Sequence, residues 1–167
     1  HATSGSSGEP LSIRRTWLEE RLVTAFRLRA LRDLGLRVTD RWVGVGLLRP
    51  RDPRDWDLPQ RMLQTLGLYR KAAVDCRSAP EEILRRLEAL RPDVIVGFPG
   101  VICRIAQVIA GGRPTTLRPR VLISGGEVLT PLMRREITGA FGAPVVELYG
   151  AHELGMIAWQ CTKWGGL

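Results

Sequence analysis

The chain has 167 residues, of which 44% are hydrophobic and 25% are charged, and its net charge is +8. This length and composition are typical of a globular domain with its own core, and they exclude a disordered chain or a small disulfide-stabilised protein. No segment approaches the run of ~18 apolar residues that a membrane-spanning helix needs. Because basic residues alternate with acidic ones, a nucleic-acid partner is disfavoured and a site for nucleotide phosphates is preferred.

The first predicted element is an amphipathic helix from Trp17 to Leu36, which Gly35 closes. Its apolar residues recur mostly at spacings of three and four. They are Leu18, Leu22, Ala25, Phe26, Leu28, Leu31 and Leu34.

Beyond this helix, short apolar strands alternate with helices. Strands are predicted within residues 41–50, 68–76, 93–97, 120–124 and 144–150, helices within 78–91, 101–110 and 130–141, and a proline-rich loop over 49–59. Thr130 is predicted to cap a helix, and Pro80 and Pro131 to occupy first helical positions. This alternation favours an α/β fold with a largely parallel sheet flanked by helices.

The three cysteines are odd in number and widely spaced, at positions 76, 103 and 161. This pattern predicts buried free thiols in a reducing compartment, for which the cytoplasm is the default. Cys161 has no C-x-x-C partner in this sequence, so it could join a metal site only with ligands beyond residue 167.

In parallel sheets, ligands gather beyond the carboxyl ends of the strands. Loops are expected there at residues 97–100 ("GFPG"), 124–127 ("SGGE") and 149–153 ("YGAHE"). The glycines of "SGGE" suit a backbone that passes close to a flat ligand, but a tight strand-to-helix turn with Glu127 in solvent explains them equally well.

The last of these loops collects three chemically useful side chains. Tyr149 offers a stacking face, His152 a titratable donor and Glu153 a hard oxygen ligand for Mg²⁺. His152 taken alone is more simply a surface or core histidine.

A further candidate is the segment "TSGSSG", residues 3–8, whose glycines and hydroxyls suit a phosphate-binding turn. It is not the P-loop pattern, because Glu9 and Pro10 stand where that motif needs a lysine and a hydroxyl. Taken alone, it is also consistent with a linker or an expression remnant.

The ordered set "TSGSSGEP", "GGE" and "YGAHE" resembles the adenylate-forming superfamily of acyl-CoA synthetases. The resemblance is greatest to the phenylacetate-CoA ligase branch, where "GMIAWQC" also looks like the continuation of the third motif. It implies that residues 1–167 form a partial AMP-binding domain, the central piece of a longer enzyme, without the C-terminal domain that carries a catalytic lysine. Such a piece is expected to be inactive or very weak by itself.

The resemblance also implies roles for individual residues. Glu147 would reach the adenine amino group, Tyr149 with Gly150 would stack on the ring, and Glu153 would help to hold Mg²⁺, with His152 beside the α-phosphate. The turn around the ATP phosphates would be Thr3, Ser4, Gly5, Ser6, Ser7 and Gly8, the segment along the adenine Gly125, Gly126 and Glu127, and the loop that shapes the carboxylate pocket Phe98, Pro99, Gly100 and Val101.

Three positions depart from the family pattern. Glu9 replaces a frequent lysine, His152 replaces Ser or Thr, and Val101 stands where the phenylacetate branch often has an aromatic residue. An aryl acid is therefore not assumed.

The implied reaction uses ATP, Mg²⁺ and a carboxylic acid to form an acyl-adenylate, and then transfers the acyl group, usually to CoA. Catalysis would depend on positioning and on neutralising phosphate charge, without a side-chain nucleophile. Two alternatives remain open: a catalytically silent nucleotide-binding or interaction module on the same fold, and an unrelated phosphotransferase that uses "TSGSSG" alone.

Overall fold

The computed structural model describes residues 14, 16–47, 62, 65–68, 70–151 and 155–160. The chain divides into two compact units, one formed by residues 37–147 and the other by residues 1–36 and 148–167. No helix in the described part of the chain is long and apolar enough to cross a membrane.

The predicted α/β fold is confirmed: the sheet has six strands, mostly parallel, and helices flank it. The strands are β1 (Trp42–Gly46), β2 (Lys71–Asp75), β3 (Val94–Gly97), β4 (Val121–Gly125), β5 (Val145–Ala151) and β6 (Gly155–Trp159). The helices are α1 (Trp17–Asp33), α2 (Pro80–Leu90), α3 (Pro99–Ala110) and α4 (Pro131–Phe141). The strand order is β2-β1-β3-β4-β5-β6.

Strand pairing in the larger unit is parallel. β1 pairs with both β2 and β3, and β3 pairs with β4, so the carboxyl ends of these strands lie at one edge of the sheet. The Leu122 amide donates to the Pro144 carbonyl and the Ser124 hydroxyl to the Val146 carbonyl, which shows that β5 begins in the same direction as β4.

The core of this unit lies between the sheet and helices α2, α3 and α4. Because helices cover the parallel strands, the strands are apolar almost throughout; Val121 to Ser124 of β4 are all buried. Each of these helices contributes a buried apolar stripe. The largest fully buried side chains in the three stripes are Ile83, Leu84, Leu87, Ile102, Ile105 and Ile137.

The amino edge of the parallel strands is braced by hydrogen bonds between the residues that precede each strand. The Arg41 amide donates to the Asp93 carboxylate at 2.8 Å, and the Arg120 amide donates to the Asp93 carbonyl at 2.8 Å. The Arg120 guanidinium also donates to Asp40, which is only 4% exposed. β1, β3 and β4 are therefore tied together at the edge opposite their carboxyl ends.

The helix starts follow the sequence signals, with one correction. Pro80 and Pro131 occupy first helical positions, and the Thr130 hydroxyl accepts from the Met133 amide at 3.2 Å. Helix α3 begins at Pro99, two residues before the predicted start, because Pro99 is preset for the first helical position. "GFPG" is therefore a strand end joined to a helix start, and only Phe98 lies between them.

In the smaller unit, α1 ends near the predicted glycine: Leu34 caps it and Gly35 has a φ of +68°. The expected apolar stripe is only partly buried. Of its members Leu34 is buried, whereas Leu18, Leu22 and Phe26 are 61%, 53% and 60% exposed; Ala30, which is not part of the predicted stripe, is also buried. β6, which the sequence did not predict, pairs antiparallel with the second half of β5.

Candidate functional site

Two loops meet at the carboxyl ends of β3 and β4. The first runs from Gly97 through Phe98 into helix α3, and the second follows Ser124 and leads to helix α4. Since β3 and β4 are parallel neighbours, with Gly97 opposite Ser124 in the register, both predicted segments emerge side by side. We call residues 97–101 the α3 loop, although this segment includes the last residue of β3 and the first turn of α3. We call residues 124–127 the α4 loop, although this segment begins with the last two residues of β4.

A carboxylate of the α4 loop reaches the first turn of α3. Glu127 Oε2 accepts a hydrogen bond from the Gly100 amide at 3.2 Å. Glu127 is exposed, as the alternative of a strand-to-helix turn with Glu127 in solvent expects, and its carboxylate also engages the Gly100 amide.

The second contact between the loops is between Phe98 and Gly126. A Cβ added at Gly126 would lie 2.8 Å from Cε1 of the Phe98 ring, and Gly126 has a φ of +81°. Both the space and the backbone conformation therefore require glycine here. The flat group that lies against this glycine is the chain's own Phe98.

Ser124, the last polar side chain before the glycines, lies inside the protein. It is fully buried, and its hydroxyl donates to the Val146 carbonyl at 3.4 Å, which holds the end of β4 against β5. Val101 is also buried, at 8% exposed, and its amide donates to the Phe98 carbonyl. The α3 loop thus presents its backbone near Gly100, and not the Val101 side chain, to solvent.

Glu147 lies on β5, and its carboxylate is engaged by helix α4. Arg134 Nη2 donates to Glu147 Oε2 at 2.7 Å, and Arg134 Nη1 donates to the Val145 carbonyl at 2.6 Å. Arg134 was not predicted as a site residue. The chain has 23 arginines, and nothing in the sequence distinguishes this one, which lies on a predicted helix, from the others. The structure identifies it as the residue that orients Glu147.

Tyr149 and Gly150 lie in the smaller unit and belong to the strand predicted within residues 144–150, so the loop expected from Tyr149 does not begin there. Both residues belong to β5, because pairing with β6 extends this strand to Ala151. The register shifts between Tyr149 and Gly150, and Tyr149 is 58% exposed. Its ring is therefore available for stacking on the surface of its unit.

Several predicted site residues lie outside the described residues. These are the phosphate turn Thr3 to Gly8, the two side chains His152 and Glu153, and also Cys161. Among the residues that are described, no three His, Cys, Asp or Glu side chains cluster as a metal site would require.

A polar cluster joins α3 to α4 next to the core. The Cys103 thiol donates to Glu136 Oε2 at 3.0 Å, and Gln107 Nε2 donates to the same oxygen at 3.1 Å. Burial, followed by the hydrogen bond and charge of Glu136, raises the pKa of Cys103 to about 11. The prediction of buried free thiols is confirmed for Cys76 and Cys103, and Cys103 is unsuited to nucleophilic chemistry near neutral pH.

No protein-family model and no curated protein matches this sequence. Solved structures of ligases, however, share its fold. A 2-hydroxyisobutyryl-CoA ligase in complex with 2-HIB-AMP and CoA matches with a TM-score of 0.62 and 17% identity, over 92% of this chain and 33% of that one.

Two further ligase structures share the fold of this chain to the same degree. A malonyl-CoA ligase with methylmalonyl-CoA and AMP bound matches with a TM-score of 0.62 and 24% identity, over 95% of this chain and 33% of that one. ATP-bound MatB from Rhodopseudomonas palustris matches with a TM-score of 0.62 and 21% identity, over 95% and 30% of the two chains. At these identities the likeness shows a common fold, and this chain spans about a third of the length of the ligases it matches.

Proposed function

We propose that this chain forms part of the nucleotide-binding domain of a ligase that activates a carboxylic acid with ATP and transfers the acyl group to CoA. The substrate carboxylate attacks the α-phosphorus of ATP, and the bond to pyrophosphate breaks as the acyl–phosphate bond forms. The deprotonated thiol of CoA then attacks the acyl carbonyl carbon, and AMP leaves. Such a reaction needs positioned dipoles more than a side-chain nucleophile.

The observation that carries this proposal is the meeting of the α3 and α4 loops at the carboxyl ends of β3 and β4. This edge of a parallel sheet is where ligands bind in open α/β folds. The family resemblance implies that the two loops serve one site, the α3 loop on the acid side and the α4 loop on the adenine side. Their direct contact, in a fold shared with ATP-bound and acyl-AMP-bound ligases, supports that assignment.

Glu147 would select the adenine ring. Its carboxylate can accept a hydrogen bond from the exocyclic amino group, and Arg134 holds one of its oxygens at 2.7 Å. Gly125 and Gly126 would present backbone groups beside the ring, with Tyr149 stacking on it from β5.

The phosphates would be held by the turn of Thr3 to Gly8, with His152 close to the α-phosphate. Mg²⁺ would be coordinated by ATP phosphate oxygens and by Glu153, the arrangement this ion prefers when substrate phosphates are present. Bound there, it supplies neutralisation of the phosphate charge. Glu153→Gln should therefore reduce adenylate formation strongly while the fold is retained.

The resemblance to the phenylacetate-CoA ligase branch makes aryl acids worth testing, although an aryl acid is not assumed. Val101 argues against a pocket wall made by an aromatic residue at that position, and its burial leaves Gly100 as the part of the α3 loop that can approach a substrate. A panel of acids should therefore include both aryl and short aliphatic members.

The test, made on the full-length ligase of which we propose this chain to be a part, is the exchange of radiolabelled pyrophosphate into ATP in the presence of this acid panel, together with calorimetry using a non-hydrolysable acyl-adenylate analogue. Exchange with any acid supports the ligase. Release of ADP instead of AMP would identify a phosphotransferase.

A second candidate is a silent nucleotide-binding module, which Glu9 and His152 favour because both depart from the family pattern beside the phosphates. Binding of the analogue without exchange would support this candidate. Absence of both binding and exchange would contradict either function.

A further inference from the structure

The first turn of α3 lacks the usual means of satisfying its amide groups. Its N-cap residue, Phe98, has no side-chain acceptor, and Pro99 has no amide hydrogen. The amides of Val101 and Ile102 donate to the Phe98 carbonyl. Gly100 therefore has the first amide of this helix that needs an acceptor from elsewhere.

Glu127 supplies that acceptor from 27 residues away in the sequence. Its Oε2 lies 3.2 Å from the Gly100 nitrogen, and a Cβ added at Gly100 would lie 3.1 Å from the same oxygen. A carboxylate at this end of a helix also interacts favourably with the helix dipole. A side chain at Gly100 would require this oxygen to move away by a few tenths of an ångström.

The Phe98 ring makes the second connection. It lies against Gly126 so closely that an added Cβ would meet it at 2.8 Å, and it packs against the hydrophobic core. The α3 and α4 loops are thus joined at two points, by a hydrogen bond and by a ring contact. A displacement of one loop must displace the other.

We propose that Glu127 is a positioning residue, which fixes the first turn of α3 and thereby holds the acid-binding side of the site in place from its nucleotide side. This inference rests on the proposed function, in which the two loops serve the two substrates. It assigns Glu127 a role through Gly100, and not a direct contact with adenine or phosphate.

Two substitutions separate these roles. In Glu127→Gln the side-chain carbonyl can still accept from the Gly100 amide, whereas the negative charge is lost. In Glu127→Ala both are lost. A positioning role requires Gln to rescue most of the function, while a charge-dependent contact with a ligand requires Gln to be as damaging as Ala. Glu81→Gln, an exposed change in the first turn of α2, is the matched control.

The contact itself is tested without activity by NMR on the whole chain. The Gly100 amide resonance should move in Glu127→Ala, which removes the acceptor, and should stay close to its original position in Glu127→Gln and in Glu81→Gln. A Gly100 resonance that is unchanged in Glu127→Ala would overturn the inference.

The kinetic test measures the KM for the acid and the KM for ATP in pyrophosphate exchange and compares how much each one changes. Glu127→Ala should raise the KM for the acid about five-fold to ten-fold, the loss of roughly one hydrogen bond, and leave the KM for ATP within two-fold. Glu127→Gln should stay within about two-fold for both. Equal damage by Gln and Ala, or a larger effect on ATP, would refute positioning. These kinetics are measured on the full-length ligase that contains this chain. If that ligase shows no exchange with any acid, the proposed function fails, and the Gly100 resonance still decides whether Glu127 holds this turn.

Discussion

Arg134 and Glu147 form an ion pair that joins helix α4 to strand β5, with 2.7 Å between Nη2 and Oε2. Because Arg134 also donates to the Val145 carbonyl, it fixes the strand and the carboxylate together. Arg134→Ala should lower the free energy of unfolding by about 1–2 kcal/mol, because the Val145 carbonyl and one Glu147 oxygen lose this donor, and, under the proposed function, it should also weaken ATP binding.

Arg134→Lys provides the comparison for that prediction. Lysine keeps the charge but offers a point donor in place of a planar fork, so it cannot maintain both bonds in the same geometry. We expect an intermediate loss in ATP affinity by calorimetry. Full retention of affinity in Arg134→Ala would show that Glu147 needs no orientation.

Gly126→Ala should be destabilising by about 2–3 kcal/mol, because strain from the positive φ adds to the overlap with the Phe98 ring. Gly142→Ala is the matched control. Gly142 has a φ of +64° but nothing within 4 Å of the added Cβ, so only the conformational cost of about 1 kcal/mol applies.

Chemical denaturation of both variants measures this difference. A double variant with Phe98→Leu should recover part of the loss in Gly126→Ala, because the smaller side chain leaves room for the new methyl group. Equal destabilisation at positions 126 and 142 would contradict the ring contact.

Cys103 should resist thiol reagents in the folded protein. Its pKa is raised from 9.0 to about 11 by burial and by Glu136, so the folded state retains the thiol proton where the unfolded state loses it. The stability associated with this proton is present below pH 9 and is lost as the pH rises towards 11.

Labelling in a Cys76→Ala and Cys161→Ala background isolates this thiol. We expect slow modification near pH 8 and a steep increase above pH 9, with Glu136→Gln shifting the increase to lower pH. Rapid labelling at pH 7 in the folded state would contradict the raised pKa.

Asp40→Ala should cost about 3 kcal/mol of stability, because it leaves the Arg37 amide and one Arg120 donor without their acceptor. Asp33→Ala, an exposed change in the last turn of α1, should be neutral or slightly stabilising, since a negative charge near a helix C-terminus is unfavourable. Thermal unfolding of both variants tests this contrast, and an equal effect would show that Asp40 is not needed.

Much of the fold could be predicted because its signals are local. Apolar runs such as 120–124 mark strands that helices cover, and Pro131 after Thr130 marks a helix start through the chemistry of two adjacent residues. The start of α3 was misplaced because Pro99 was assigned to a loop. β6 was missed because its role depends on pairing with β5, a partner that the pattern of 155–159 does not specify.

The sequence predicts which segments follow the strands at the candidate site, but it does not predict the contacts between those segments. The α3 and α4 loops were each identified, yet the contacts of Glu127 with Gly100 and of Phe98 with Gly126 depend on which strands are neighbours. Arg134 was missed for the same reason, because its partners are 11 and 13 residues away on another element.

The bracing at the amino edge by Asp40, Arg41, Asp93 and Arg120 has a consequence for how this scaffold can diversify. The bracing hydrogen bonds that join β1, β3 and β4 are made by residues that precede these strands, and they do not involve either loop at the opposite edge. Substitutions of exposed residues in the α3 and α4 loops are therefore expected to leave the register of β1, β3 and β4 unchanged. The register of these three strands therefore does not depend on the exposed side chains at their carboxyl ends.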